Sequence, residues 1–294
     1  MPSLAPFGLP GTWLKGNLHT HSTASDGRRT PADVVDWFFG HGYDFLALTD
    51  HNVVTQGAAH PGLVLIPGAE ISARRGDVEY HIVALGIQEM PLEHGQDPQT
   101  TIDAVRQAGG LSFLAHPYWH DHTYQDLAAL DGYIGIEIFN TGCWLEIQKG
   151  HSLVHWDLLL RRGHKVWGLA TDDCHWRIPD YGKGWVVVRA ERNDPETILS
   201  ALQRGHFYSS TGPQIYDVAL DGREVRVRCS PARSVYVTGG YNYVPNAVHA
   251  WDGQPLTDVT VTLHRQQIYF RVEVVDFESR SAWTQPVWVD GAPA

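Results

Sequence analysis

From residue 12 to about 212, short apolar, β-branched runs alternate with segments of helical period, the pattern of repeated βα units. The runs 15–21, 45–49, 64–67, 80–85, 111–115, 134–139, 166–170, 185–189 and 207–209 predict strands. Thr30-Pro31, Asp97-Pro98 and Asp194-Pro195 each set a capping side chain before a proline at the first helical position. Gly109-Gly110 and Gly205 supply helix stops. A further helix follows Gly150, with Leu153, Trp156, Leu159 and Leu160 on one side. Alternation of this length predicts parallel βα units closed into a barrel. After Thr211-Gly212-Pro213 the period drops to two over 223–228, 234–238, 267–275 and 286–289, with turns at Asp221-Gly222 and Asp252-Gly253. These residues predict a small all-β sandwich module, which gives domains at 12–212 and 213–294.

Composition narrows the class. A chain of 294 residues can bury one barrel plus an appendage, and 43% hydrophobic with 19% charged residues is ordinary for a globular protein. The formal net charge of −11 argues against broad binding of phosphate backbones, so polymeric nucleic acid is disfavoured as a partner. Bound divalent cations would invert that sign locally. Three scattered cysteines, Cys143, Cys174 and Cys229, make no disulfide framework and fit a reducing cytoplasm. The N-terminal segment lacks the charged and apolar regions of a signal peptide. No run approaches the ~18 apolar residues of a membrane span, so a soluble, cytoplasmic protein is expected.

The chemistry lies where apolar runs end. His19 and His21 are i and i+2 on one strand, so both imidazoles leave the same face. Similar groups recur at Thr49-Asp50-His51-Asn52, Gly68-Ala69-Glu70-Ile71-Ser72, Tyr80-His81, Ala115-His116-Pro117 and Asp172-Asp173-Cys174-His175. In a βα barrel the C-terminal strand ends share one face, so these side chains would converge there. His81 begins its run instead of ending it and fits that geometry less well. With Asp26 the candidate ligands are His19, His21, Asp26, His51, Glu70, His81, His116, Asp173 and His175. Imidazole with carboxylate and no thiolate suits Zn, Mn or Fe and excludes a structural Cys-type zinc site. Nine ligands exceed the needs of one ion, so two or three divalent ions sharing a carboxylate are implied, the usual equipment for hydrolysis.

This series of motifs resembles the PHP (polymerase and histidinol phosphatase) family. The stretch 205–213 and the tail residues Arg271-Val272-Glu273-Val274 and Ala282-Trp283 resemble a branch named after a carbaryl hydrolase. The resemblance implies an α/β fold, a distorted seven-stranded βα (TIM-like) barrel with a trinuclear centre and a small C-terminal all-β domain. Carried over by position, His19, His21, Glu70 and Asp173 hold a first metal. Glu70 bridges to a second, completed by His81 and His116, while Asp26, His51 and His175 hold a third. Glu70, Asp173 and His116 become the core of the catalytic centre. The Asp-x-His spacing selects Asp173, leaving Asp172 on the opposite strand face as a supporting partner.

Other residues admit two readings each. Asp50 either orients a ligand or caps the next loop. Glu137, a carboxylate inside an apolar strand, needs a partner if buried and could belong to the site. Arg74, Arg75 and Arg177 could bind phosphate or stay solvated. His120 and His122 could protonate a leaving group or be ordinary loop residues. The ring-rich loops around Trp119, Trp144, Trp156 and Trp176 read as core or pocket wall. The tail holds His249 and His264 without ligand spacing and reads as structural or as a pocket rim. The expected activity is a metal-dependent phosphoesterase acting on a small phosphorylated metabolite or nucleotide. The alternatives are a carboxylic ester or carbamate hydrolase, or a non-catalytic metal-stabilised scaffold.

Overall fold

The computed structural model describes residues 1–57, 60–239, 246–263 and 268–289. His264, and the start of the predicted strand 267–275, lie outside the described residues. The chain runs β1 (Thr12–Asn17), α1 (Pro31–Gly40), β2 (Phe45–Leu48), β3 (Val64–Arg75), β4 (Val78–Leu85), α2 (Pro98–Gln107), β5 (Leu111–Leu114), α3 (Tyr124–Ala128), β6 (Gly135–Asn140) and α4 (Thr141–Ile147). It continues through α5 (Leu153–Arg161), β7 (Trp167–Thr171), β8 (Trp185–Ala190), α6 (Pro195–Gln203) and β9 (Phe207–Ser210). The three Pro-initiated helices start as their caps dictate. Thr30, Asp97 and Asp194 accept backbone N–H bonds from Asp33, Gln99 and Thr197, satisfying donors that the first turn would otherwise leave unpaired.

Strands β1 to β7 pair in chain order within one large sheet. β1–β2–β3 and β5–β6–β7 are parallel, but β4 is antiparallel to both β3 and β5. The expected run of uniformly parallel βα units is therefore corrected at β8, which is antiparallel to both β1 and β9, and at β4. The link from Arg75 to Val78 is a two-residue turn, too short for the crossover that a parallel neighbour needs. At the far end, β7 is tied back to the end of β1 through a parallel bridge between Thr20 and Cys174. There the Asp173 N–H donates to His19 O at 2.9 Å and the His21 N–H to Cys174 O at 3.1 Å.

The remaining strands are β10 (Ile215–Asp221), β11 (Glu224–Ala232), β12 (Ser234–Gly239), β13 (Ala247–His249), β14 (Leu256–Thr262), β15 (Tyr269–Val275), β16 (Ser281–Thr284) and β17 (Val287–Trp288). They are two-layered, with β10–β11–β14 as a separate three-stranded sheet. The other layer is no separate sheet: β16 pairs with β9, so β12, β13, β15, β16 and β17 extend the main sheet. Val225, Val227 and Val261 from one layer meet Val237, Phe270 and Val272 from the other in one apolar cluster, which also takes in Tyr208 of β9. No helix among the described residues is long and apolar enough to cross a membrane.

Ending the chain at Pro213 would bare the edge of β9 and half of this apolar layer. We expect the shortened chain to aggregate on expression, read by size-exclusion chromatography and circular dichroism. A soluble, folded, fully active fragment would show the tail to be dispensable.

Candidate metal centre

One end of the sheet collects the candidate ligands. His19 and His21 follow β1, His51 follows β2, His116 follows β5, and Asp173 and His175 follow β7. Glu70 sits within β3. His81 reaches the same place because β4 is reversed: it pairs with Ser72 and accepts at its backbone O from the Ala115 N–H, one residue before His116. The reversal thus accounts for a histidine that starts its strand.

Glu70 is the centre of the arrangement, fully buried and ringed by five imidazoles. His19 Nε2, His21 Nε2 and His51 Nδ1 lie 3.2, 3.2 and 3.0 Å from its Oε2. His81 Nδ1 and His116 Nε2 lie 2.9 and 3.1 Å from its Oε1. Asp173 Oδ1 approaches His19 Nε2 at 3.2 Å and His21 Nε2 at 3.0 Å. Asp26, at the open rim, brings Oδ1 to 3.3 Å from His175 Nε2 and 3.7 Å from His51 Nε2. All nine candidates are brought together, in overlapping groups whose donor atoms lie within 4.8 Å of one another. One group joins His21 to Asp26, His51 and His175. Another joins His120 to His81 and His116.

A layer of hydrogen bonds holds these side chains. Glu137, buried as expected, accepts from His19 Nδ1 at 2.7 Å, the His116 N–H at 2.8 Å, Asn140 Nδ2 at 2.8 Å and Thr171 Oγ1 at 2.7 Å. A carboxylate cannot donate, so the proton is on His19 Nδ1 and Nε2 faces the cluster. Asn140 also donates to Asp173 Oδ2 at 3.0 Å. Asp50 accepts from Ser22, Ser25 and Thr55, binding both flanking loops and touching no ligand imidazole. Asp172 makes no contact with the cluster. It accepts from Asn17 Nδ2, Thr141 Oγ1 and the N–H groups of Gly182, Lys183 and Gly184, and Asn17 in turn accepts from the His19 N–H.

The arginines separate clearly. Arg74 pairs with Glu79 on the surface, and Arg75 grips Asp97 through two bonds at the start of α2, so neither faces the cluster. Arg177 does: it donates to Asp26 Oδ2 at 2.8 Å and lines a cavity of about 240 Å³ over the ligands. Trp119 and, from α4, Gly142, Cys143 and Glu146 wall the same cavity. Sequence periodicity missed α4 because seven residues span less than the window that makes a helix visible. A larger cavity of about 910 Å³, between α5 and the strands β12 and β15, is lined by no histidine.

The cluster is electrostatically unusual. Burial opposes ionisation of Glu70 and Asp173, yet neighbouring imidazoles, His19 foremost, hold both well below the usual carboxylate range. Burial likewise disfavours a charged His21, but Asp173 and Glu70 push its pKa up to about 9. His51 goes the other way: burial and the neighbouring His21 and His81, against the pull of Glu70, lower it to about 4. Glu70 Oε2 and His81 Nδ1 are buried without a hydrogen-bond partner. His116 and Asp173 adopt positive φ, 28° and 51°, a backbone conformation that His and Asp reach more readily than most side chains. Buried carboxylate and imidazole lone pairs that converge without enough hydrogens to satisfy them fit divalent cations.

No family model matches the chain. It is 39% identical over 77 residues to a 3′,5′-nucleoside bisphosphate phosphatase of Chromobacterium violaceum, covering 24% of this chain and 27% of that one. It is 37% identical over 81 residues to a 5′-3′ exoribonuclease of Haemophilus influenzae, covering 26% and 30%. These matches span under a third of either relative's length. The fold is shared with a two-domain protein of Bacteroides vulgatus containing a predicted PHP-like metal-dependent phosphoesterase. There the TM-score is 0.56 at 19% identity, over 95% of this chain and 96% of that one.

Two outcomes follow for the metal-free chain. Glu137→Gln keeps the shape of the residue that holds His19 but removes its charge. We expect metal affinity to fall by about 10–100-fold in a chelator competition, with the fold unchanged by circular dichroism. Because His21 is held near pKa 9, loading must expel its proton at neutral pH. Zn(II) titration in weakly buffered indicator at pH 7 should therefore release at least one proton per chain, and apparent affinity should climb with pH through about 9.

Proposed function

We propose that this chain, similar in sequence and fold to PHP-like metal-dependent phosphoesterases, hydrolyses the phosphate ester of a small metabolite or nucleotide at a centre of two or three divalent ions. The observation that carries the reading is the buried Glu70 with five imidazoles within 3.2 Å of its two oxygens. In this reading His19, His21, Glu70 and Asp173 hold one ion, and Glu70 is shared with a second held by His81 and His116. Asp26, His51 and His175 hold a third. A donor set rich in imidazole and free of thiolate suits Zn, Mn or Fe. Ions bound there supply a lowered pKa for water and neutralise charge on phosphoryl oxygens.

The chain's own groups prepare that chemistry. Glu137 fixes the His19 tautomer, and Asn140 fixes Asp173, so that their donor atoms need little reorganisation. Arg177, clasping Asp26 at the cavity mouth, is placed to take a phosphate oxygen. Asp26, Glu70 and Asp173 contribute −3, which two divalent ions turn to +1 and three to +3, favouring an anionic ester. The two-domain reading, a barrel over 12–212 carrying an appended β module over 213–294, draws support from the two-domain fold similarity.

The test is a panel offered to metal-loaded protein: p-nitrophenyl phosphate, bis-p-nitrophenyl phosphate, nucleotides, a short oligoribonucleotide and 1-naphthyl N-methylcarbamate. Hydrolysis of phosphate esters is expected. Activity confined to the carbamate or to carboxylic esters would replace the phosphoesterase reading, and activity on the oligoribonucleotide alone would move the substrate class to polymeric RNA. Within the working panel, Glu70→Gln should lower turnover by roughly several orders of magnitude with the fold retained, and Asp26→Asn should cost less. Near-normal turnover with full metal content in Glu70→Gln would remove Glu70 as the shared carboxylate.

A further inference from the structure

We infer that His120 is itself a metal ligand, completing with His81 and His116 a three-imidazole site beside Glu70. The inference rests on the metal-centre reading above and assigns a donor beyond its nine. One donor nitrogen from each of His81, His116 and His120 lies within 4.8 Å of the other two. His120 Nε2 is buried and has no hydrogen-bond partner. Among the described residues no ion pair joins His120 to a carboxylate and no hydrogen bond satisfies that nitrogen. A buried ring nitrogen with no protein partner, on a histidine clustered with two other imidazoles, is the kind of group that a cation satisfies.

The local structure brings the ring there for a reason. His116 and His120 are i and i+4 across a tight turn, in which the N–H groups of Trp119 and His120 donate to His116 O. The turn brings the two imidazoles to the same side of the loop. The two ring centroids are 4.9 Å apart, and His81 meets His120 edge-on, also at 4.9 Å. The ring is fixed from behind as well. His122 stacks on His120 at 5.0 Å and 19°, and the His122 Nε2–H donates to Glu79 O. A free loop histidine would have no need of this backing.

The consequence concerns which metal sits where. Three neutral imidazoles and one shared carboxylate make this the most nitrogen-rich of the sites, whereas the others use Asp173 or Asp26. Nitrogen-rich sites favour Zn over Mn. His120 therefore makes the second site the zinc-selective and most slowly released one.

The experiment compares the whole chain, loaded with Zn(II), as wild type, His120→Ala, His120→Cys and, at an exposed histidine away from the cluster, His94→Ala. Metal per chain is measured by inductively coupled plasma mass spectrometry during timed exposure to a chelator. Wild type and His94→Ala should retain a slowly released equivalent that His120→Ala loses, with Zn(II) affinity at that site lower by at least about 100-fold. His120→Cys should restore retention and, loaded with Co(II), show a near-ultraviolet thiolate charge-transfer band absent from wild type. This gain of signal does not depend on how well the alanine variant folds. Unchanged retention in His120→Ala together with no thiolate band in His120→Cys would overturn the ligand assignment and leave His120 a proton donor, altering only the pH profile. A wild-type chain that takes up no metal would instead overturn the metal-centre reading itself.

Discussion

A carboxylate with no exposed surface and five imidazoles around it is the constraint on which the rest of the structure turns. Glu70 must receive neighbours from the ends of β1, β2, β4 and β5, so those ends have to meet over β3. Parallel pairing of β1, β2 and β3 delivers His19, His21 and His51 to the same end. Beyond β3 the order reverses, and β4 can contribute only through its early residues. The same chain direction that makes β3 and β4 a tight hairpin puts His81 across from Ser72, within reach of Glu70 Oε1. The antiparallel insertion is thus part of how the cluster is assembled.

Around that cluster the hydrogen-bond layer does what packing alone cannot. Imidazoles and carboxylates this close need neighbours that fix their orientation, as Glu137 fixes His19 through Nδ1. Glu137 holds His19 and the backbone of His116, Asn140 ties Glu137 to Asp173, and Asn17 ties the His19 backbone to Asp172. Asp172 collects five donors from three segments, which makes it a clamp between β1, α4 and the 182–184 loop. Each such bond to an ionised group contributes about 1.5–3 kcal/mol, and breaking one strands a buried donor as well. The supporting layer is therefore as sensitive to substitution as the donors themselves.

Much of this was legible in the sequence, for identifiable reasons. Apolar runs with capped, proline-initiated helices between them placed the strands from β1 to β9 and the helices α1, α2, α5 and α6, because caps and periodicity are local. The donors were legible because imidazole and carboxylate at the ends of apolar runs are conspicuous. Direction was not: a strand's period is the same read either way, so the reversed β4 left His81 without a place. Nor was the outer layer legible in detail. Asn17, Asn140 and Thr171 are ordinary polar residues whose partners lie up to 155 residues away. Glu137 was visible only because a carboxylate in an apolar strand must find a partner. Arg74 and Arg75 resembled phosphate binders by position, but their side chains answer to Glu79 and Asp97. The tail showed its alternation but not that β16 would join β9, since edge pairing depends on tertiary contact.

The acidity of the chain bears on the choice between anionic and neutral substrates, and here the local argument outweighs the global one. The formal charge of −11 is spread over the whole surface, where charges farther apart than about 8–10 Å are largely screened at physiological salt. It also counts Asp26, Glu70 and Asp173, whose charges the proposed ions would more than cancel. Burial and the closeness of the donors make the sign at the cavity depend on what is held within a few ångströms of Glu70, where screening is weakest. Arg177 at the mouth adds to the positive side. An acidic exterior slows the approach of an anion only modestly, while the charge held within the cavity decides whether it stays. Net charge is a statement about solubility and encounter; the donor set around Glu70 is a statement about binding, and the two need not share a sign.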